Sequence, residues 1–144
     1  MAADHSPRFL DLVDRIRRQV VEVSIPELEA ELRARRAALA AGQPLSPLYF
    51  LDVREDHEWQ AGHIPGAEHL GKGILERDIE KRVPDPDADI VLYCGGGFRS
   101  ALAAYALAQM GYTRVRSLAG GFRSWRDSGR PLVVPADAPT PERS

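Results

Sequence analysis

The sequence predicts an α/β domain in which a parallel sheet is flanked by helices on both faces. Two short runs, LYFLDV at 48–53 and IVLY at 90–93, are almost continuously apolar, which is typical of strands covered on both faces. Helical patterns alternate with the strand patterns through short links, and this alternation favours parallel strands. The 144 residues, 44% of them hydrophobic, suffice for one domain with a single core.

The first third of the chain is predicted to hold two helices and two strands. Ser6 and Pro7 are a candidate N-cap and first helical residue, and apolar residues then recur at helical spacing up to Val20. A short strand is expected at 20–23. The SIPE sequence at 24–27 contains a capping box and starts a helix that runs to about Ala41. A loop at 42–47 leads to the strand at 48–53.

The rest of the chain continues the alternation and ends in a polar tail. The expected elements are a helix near 55–60, a turn at 62–66, a strand at 67–70, a helix around 74–82, the strand at 90–93, a helix at 100–110, a strand at 114–118 and a helix at 120–129. The proline-rich tail predicts disorder over 135–144.

Composition disfavours several classes of protein. No apolar run approaches the roughly 18 residues that span a bilayer, and the N-terminus lacks a secretory signal pattern, so we expect no membrane partner and a cytoplasmic protein. A pI near 6.1 without a basic run disfavours nucleic acid. The single cysteine, Cys94, excludes an internal disulfide and multi-thiolate zinc sites. His57, His63 and His69 are spaced six residues apart, which fits no common zinc pattern, and we expect no metal.

The charge is unevenly distributed along the chain. Residues 52–89 contain eleven acidic and five basic residues, whereas residues 90–130 contain six arginines and one acid. The half that holds Cys94 is therefore basic. If the fold gathers these arginines, their field would concentrate small anions near the thiol, and otherwise they form a solvated surface.

The segment that follows the strand at 90–93 has the pattern of a nucleophile in an anion site. It consists of Cys94, Gly95, Gly96, Gly97, Phe98 and Arg99, and Ser100 then begins the helix. Three glycines allow successive N–H groups to converge on one point, and the following helix start adds unpaired amides and a partial positive charge. A thiolate is stabilised in such surroundings. The sequence therefore predicts a reactive Cys94, with the loop amides and Arg99 binding an anionic substrate.

The length of this loop favours chemistry at sulfur. Four residues separate Cys94 from Arg99, whereas loops that hydrolyse phosphate esters usually have five. The shorter loop fits attack by a thiolate on a sulfur electrophile, which needs no proton acceptor. We accordingly expect neither a catalytic histidine nor a cofactor.

Five motifs resemble the rhodanese-like sulfurtransferases in order and spacing. They are LDVRE at 51–55, GHIPGA at 62–67, YCGGGFRSALAA at 93–104, LAGGFRSW at 118–125 and GRPL at 129–132. The resemblance covers about residues 20–133. It implies a five-stranded parallel sheet flanked by helices, and a cysteine that carries sulfane sulfur as a persulfide on a six-residue loop. We expect an N-terminal helical extension at 1–19, a rhodanese-like domain at 20–134 and the tail at 135–144.

Other polar residues near the strand ends are expected to be structural. Asp52 is predicted to accept from backbone amides, and Arg54 to pair with nearby carboxylates. His63 is expected to fix a turn. Phe98 is a candidate wall of the pocket.

The functional hypothesis is a sulfurtransferase in which Cys94 takes sulfur from thiosulfate or a persulfide and passes it to a thiol, a protein acceptor or cyanide. One alternative is a relay module that a partner protein loads, with the N-terminal helix as the docking element. Another is a cysteine phosphatase or arsenate reductase, which the short loop disfavours. The physiological donor and acceptor, the pathway and the oligomeric state do not follow from the sequence.

Overall fold

The computed structural model describes residues 5–135. In chain order the elements are α1 (Pro7–Arg17), β1 (Val21–Val23), α2 (Ile25–Ala40), β2 (Leu48–Asp52), α3 (Asp56–Ala61), β3 (Glu68–His69), α4 (Lys72–Arg82), β4 (Asp89–Tyr93), α5 (Phe98–Gln109), β5 (Val115–Leu118) and α6 (Gly121–Asp127). Every predicted helix and strand is therefore present, with small shifts at the ends. The tail beyond Pro135 lies outside the described residues, so its predicted disorder stays a prediction.

The five strands form one parallel sheet in the order β1-β5-β4-β2-β3. This confirms the predicted fold class. Strand β4 lies in the middle, between β5 and β2, and its residues alternate between the two faces. Ile90 and Leu92 pack with residues of α4 and α5, whereas Val91 and Tyr93 pack with residues of α2 and α6. Both faces are thus covered, which explains why the strand is apolar throughout.

Local capping determines two helix starts that bear on the site. The predicted capping box at α2 is present, with the Ser24 side chain accepting from Glu27 N and the Glu27 side chain accepting from Ser24 N. Helix α5 begins at Phe98, two residues before the predicted start, because Gly97 has a φ of 94° and turns the chain directly into the helix. The early start leaves the amides of Phe98 and Arg99 without helical acceptors, next to Cys94.

The start of the N-terminal helix can be compared with the structure, whereas the predicted domain boundaries cannot. Helix α1 begins at Pro7 as predicted, but the Ser6 side chain makes no capping hydrogen bond. Ser6 is the N-cap residue, as predicted, but only through its backbone carbonyl, which accepts from Leu10 N at 3.0 Å. The division of the chain at residues 19 and 134 stays a prediction.

Candidate active site

Cys94 lies immediately after β4, at the carboxyl edge of the sheet, where parallel α/β sheets bind ligands. Its side chain is 1% exposed. Strands β5 and β2 flank β4, so side chains that follow the neighbouring strands reach the same edge. This central position surrounds the sulfur with protein groups on several sides.

Two backbone amides point at the sulfur. The N–H groups of Gly97 and Ser100 donate to Cys94 Sγ, with nitrogen to sulfur distances of 3.1 and 3.3 Å. Among the described residues, the amides of Gly95, Gly96, Phe98 and Arg99 have no hydrogen-bond acceptor. The loop therefore presents a ring of donors that stabilises negative charge on the sulfur and on an atom attached to it.

A pair of buried hydroxyls lies on the other side of the sulfur. Ser100 Oγ is 3.4 Å from Cys94 Sγ and 2.7 Å from Ser117 Oγ, and both serines are 0% exposed. A hydroxyl proton can rotate, so the Ser100 hydroxyl accepts from a thiol and donates to a thiolate. The Ser100 and Ser117 hydroxyls can thus keep a hydrogen bond to the sulfur whether Cys94 is a thiol or a thiolate.

The Arg99 side chain is held at the edge of the loop by Glu58. Its two terminal nitrogens donate to the two carboxylate oxygens of Glu58 at 2.8 and 3.0 Å. These hydrogen bonds lower the pKa of Glu58 to about 2, and they raise the pKa of Arg99 above its usual value. Arg99 is therefore charged and fixed, but its charge is compensated by the carboxylate.

Helix α6 is attached to the backbone of the Cys94 loop. Phe122 N donates to the Cys94 carbonyl at 2.8 Å, and Arg123 N donates to the Gly95 carbonyl at 2.9 Å. Gly121 makes this approach possible, since a Cβ there would lie 2.5 Å from the Cys94 carbonyl oxygen. Its φ of 54° also favours glycine.

A cavity of about 280 Å³ is lined in part by Cys94. Part of its wall comes from the N-terminal segment, where the His5 ring lies 4.6 Å from the Phe98 ring, centroid to centroid. Arg17 of α1 donates to the Gly97 carbonyl at 3.4 Å and lies over the Phe98 ring. The lining consists of His5, Phe9, Cys94, Gly96, Phe98, Arg99 and Arg123. A larger open cleft of about 570 Å³ beside His69 does not contain Cys94.

Asp52 and Arg54 form a buried pair near the site. Asp52 is 0% and Arg54 3% exposed, and they share hydrogen bonds of 2.8 to 3.1 Å. Arg54 also donates to the Gly62 carbonyl at 2.7 Å and lies over the Phe122 ring. Asp52 accepts in turn from the Arg54 amide. These contacts tie β2 to the turn after α3 and to α6.

His63 joins the 62–66 turn to the end of the described chain. Its backbone exchanges two hydrogen bonds with Val133, and its ring stacks on Trp59 with centroids 3.4 Å apart. The ring nitrogen nearest a backbone acceptor is Nδ1, 3.4 Å from the Trp59 carbonyl. The cavity above Cys94 does not include His63.

The six arginines of the basic half are not gathered around the thiol. Arg116 and Arg130 pair with Glu31 and Glu29 of α2, and Arg126 pairs with its neighbour Asp127. Arg114 is exposed before β5, at the opposite edge of the sheet. Only Arg99 and Arg123 line the cavity. The predicted basic patch is thus mostly a set of ion pairs, because the acids of α2 and α3 fold back onto these arginines.

Three residues of the site were not identified from the sequence. Glu58 binds Arg99, the Ser117 hydroxyl is hydrogen-bonded to the Ser100 hydroxyl, and Arg123 lines the cavity. A polar residue within the apolar pattern of β5 was a signal for Ser117. The position of Arg123 two residues after the glycine pair of LAGGFRSW was a signal for that residue, whereas no local pattern indicates Glu58.

The described part of the chain lacks two other features. No three His, Cys, Asp or Glu side chains of residues 5–135 are grouped as a metal site. In the same residues, no helix combines the length and the apolar character needed to cross a bilayer.

The family model that matches this chain describes a rhodanese-like domain, and two curated proteins that match it are sulfurtransferases. The family model of the rhodanese-like domain matches residues 30–128. A sulfurtransferase from Allochromatium vinosum is 32% identical over 111 residues, 77% of this chain and 97% of that protein. The thiosulfate sulfurtransferase GlpE of Pseudomonas fluorescens is 38% identical over 76 residues, 53% of this chain and 68% of that protein.

A solved structure matches over a longer stretch. It is a protein of unknown function from Rhodopseudomonas palustris, described as a possible tyrosine phosphatase. It is 28% identical, with a TM-score of 0.70, and the match covers 92% of this chain and 99% of that one.

Proposed function

Because this chain belongs to the rhodanese-like domain family, we propose that it is a sulfurtransferase that carries sulfane sulfur as a persulfide on Cys94. The relatives named as sulfurtransferases support sulfur transfer in general. The observation that carries the proposal for this chain is the pair of amides, from Gly97 and Ser100, that donate to the Cys94 sulfur.

The proposed first half-reaction uses thiosulfate or a related persulfide as the donor. The Cys94 thiolate attacks the outer sulfur of thiosulfate, a bond forms between the two sulfurs, and the bond to the sulfonate sulfur breaks. Sulfite leaves with that electron pair, and Cys94 carries a persulfide anion. Charge is conserved, and no proton or cofactor is needed. The free amides of Gly95, Gly96, Phe98 and Arg99 would stabilise the added sulfur.

The proposed second half-reaction returns the cysteine to its starting state. A thiol, a protein acceptor or, in an assay, cyanide attacks the outer sulfur of the persulfide. The S–S bond breaks, and Cys94 leaves as a thiolate that accepts again from Gly97 N and Ser100 N. The lone cysteine suits a reducing compartment, and we retain the cytoplasm as the proposed location.

A phosphatase activity is the second candidate, because the R. palustris protein is described in those terms. Two features oppose it here. The loop from Cys94 to Arg99 has six residues. In addition, each terminal nitrogen of Arg99 donates to Glu58, so a carboxylate already compensates the charge that would stabilise a phosphoryl group.

Intact-protein mass spectrometry tests the proposed function. Wild type and Cys94→Ser are treated with thiosulfate and then with cyanide. We expect wild type alone to gain one sulfur atom and to lose it with cyanide. Loading only by a protein-bound persulfide would favour the relay module. Hydrolysis of an aryl phosphate that disappears in Cys94→Ser, without sulfur loading, would replace the proposal with a phosphatase.

A further inference from the structure

We propose that Arg123 of α6 binds the anionic group of the sulfur donor and thereby selects small donors that carry a negative charge. This inference rests on the proposed function and extends it to the recognition of the substrate. The choice lies between the two arginines that line the cavity above Cys94.

Arg99 is poorly suited to this contact. Each of its two terminal nitrogens donates one hydrogen bond to Glu58, at 2.8 and 3.0 Å, so the carboxylate already compensates the guanidinium charge, although other N–H groups remain. An anion that took these donors would leave a half-buried carboxylate without its partner, next to a second negative charge. Arg99 is therefore fixed as a wall of the cavity.

Arg123 has a guanidinium group that no described residue engages. Within residues 5–135 its side chain forms neither a salt bridge nor a hydrogen bond. One terminal nitrogen nevertheless lies near the loop, 3.3 Å from where a Cβ on Gly96 would be. The side chain is partly buried, so its charge is less screened than that of an exposed arginine. A planar guanidinium with free donors matches the oxygens of a sulfonate or a carboxylate.

The backbone holds Arg123 at a fixed position relative to the nucleophile. Its amide donates to the Gly95 carbonyl, and the amide of Phe122 donates to the Cys94 carbonyl. The backbone of Arg123, from which the side chain extends, is therefore hydrogen-bonded to the Cys94 loop. The fixed backbone limits how far the guanidinium can lie from Cys94, and an anion bound there would order the side chain.

The transfer of sulfur from thiosulfate to Cys94 is favoured by a cation beside the donor. A thiolate and a thiosulfate dianion repel each other, and negative charge collects on the sulfite oxygens as the S–S bond breaks. Arg123 offsets the repulsion on approach and stabilises the departing sulfite. A neutral electrophile gains nothing from the same contact. The 280 Å³ volume lies just below the usual range for drug-sized ligands, so it suits a small donor.

The test measures the rate of reaction at Cys94 with anionic and neutral reagents. Wild type, Arg123→Gln, Arg123→Lys and the control Arg114→Gln, which removes an exposed charge at the opposite edge of the sheet, are compared by mass spectrometry. Thiosulfate probes the donor. Iodoacetate and iodoacetamide, which differ mainly in charge, probe the cation without requiring sulfur transfer.

We expect Arg123→Gln to lower the thiosulfate rate constant by about tenfold or more, with a similar fall in the iodoacetate-to-iodoacetamide rate ratio. Arg123→Lys should give values between those of wild type and Arg123→Gln, because lysine keeps the positive charge but cannot form the bidentate contact of a guanidinium. Arg114→Gln should stay within about twofold of wild type.

The two proposals fail in different ways. If thiosulfate does not load wild type but the iodoacetate ratio still depends on Arg123, the proposed donor is wrong and the anion site stands. An iodoacetate ratio and a thiosulfate rate that match wild type in folded Arg123→Gln would overturn the inference. Should that variant fail to fold, Arg123→Met, which also removes the charge, takes its place, and a wild-type thiosulfate rate and iodoacetate ratio there would overturn the inference equally.

Discussion

At the scale of single residues, the site depends on which polar group meets which partner. Cys94 Sγ accepts from two backbone amides and lies 3.4 Å from Ser100 Oγ, to which the thiol donates. Glu58 determines what Arg99 can do, because the bidentate contact fixes the guanidinium and compensates its charge. The neighbouring arginines of the cavity therefore have different roles, although both bear the same charge.

The Glu58–Arg99 pair should give a stability contribution that depends on pH. The pKa of Glu58 is lowered from 4.5 to about 2 by its hydrogen bonds with Arg99. Its folded pKa is depressed, so the contribution is present above the unfolded pKa and is lost as the pH falls toward 2. Glu58→Gln, which keeps one acceptor oxygen, should cost about 1 kcal/mol at pH 6.

Urea unfolding of wild type and Glu58→Gln at pH 6, 4 and 3 measures this difference. We expect the gap in the free energy of unfolding to shrink as the pH falls through 4. A gap that is constant or grows at acidic pH would show that the charge of Glu58 is not what stabilises the contact.

At the scale of elements, two neighbours shape the Cys94 loop from outside. Helix α6 is hydrogen-bonded to the loop carbonyls and delivers Arg123, whereas the segment from His5 through α1 closes the other side of the cavity. The loop sequence alone therefore specifies the candidate nucleophile and the amides around it. The shape and the charge of the cavity come from elements distant in the chain.

Gly121→Ala should separate the docking of α6 from the general cost of replacing a glycine. An added Cβ would lie 2.5 Å from the Cys94 carbonyl oxygen, so α6 and the loop must move apart. Gly129→Ala is the matched control, because Gly129 also has a positive φ, 78°, but no atom within 4 Å of the added Cβ. The control should cost about 1 kcal/mol through backbone strain alone.

We expect Gly121→Ala to lose more stability than Gly129→Ala and to reduce the rate of sulfur loading by about tenfold or more. Thermal unfolding and mass spectrometry after thiosulfate provide the two measurements. Equal stability and equal loading in the two variants would mean that the contact between α6 and the loop has no effect on the site.

At the scale of the whole molecule, α1 is packed as part of the body. Val13 is 0% exposed, and α1 lies against α5, the helix that follows the Cys94 loop. Arg17 at the end of α1 reaches Gly97, 80 residues away. The family model begins at residue 30, after this helix, and α1 forms part of the packing beside the site.

Val13→Ala tests whether α1 unfolds together with the rest of the domain. Removing two buried methyl groups should lower the global free energy of unfolding by about 2 kcal/mol. Leu12→Ala, at a position that is 38% exposed, should stay within about 0.5 kcal/mol of wild type. Urea unfolding followed by tryptophan fluorescence and by far-UV circular dichroism gives the measurement.

The two probes should report one coincident transition in each variant. A Val13→Ala variant with the midpoint of wild type would instead support the predicted division at residue 19, with α1 as a separate extension.

Local patterns in the chain were enough to predict the elements and to single out Cys94 as the candidate nucleophile. The apolar run of β4, the three glycines and the start of α5 are contiguous, so Cys94 and its loop could be identified without knowing the rest of the fold. The capping box at α2 is equally local. Hydrogen bonding and hydrophobic periodicity over a few residues determine such features.

Packing between distant segments decided which charges are available to a substrate. Glu58 meets Arg99 across 41 residues, and Glu31 meets Arg116 across 85. The uneven charge of the two halves suggested a basic face around the thiol, but these contacts neutralise most of it. Ion pairs form wherever the fold brings opposite charges within reach, and that distance is set by the arrangement of helices around the sheet, which no short stretch of the chain encodes.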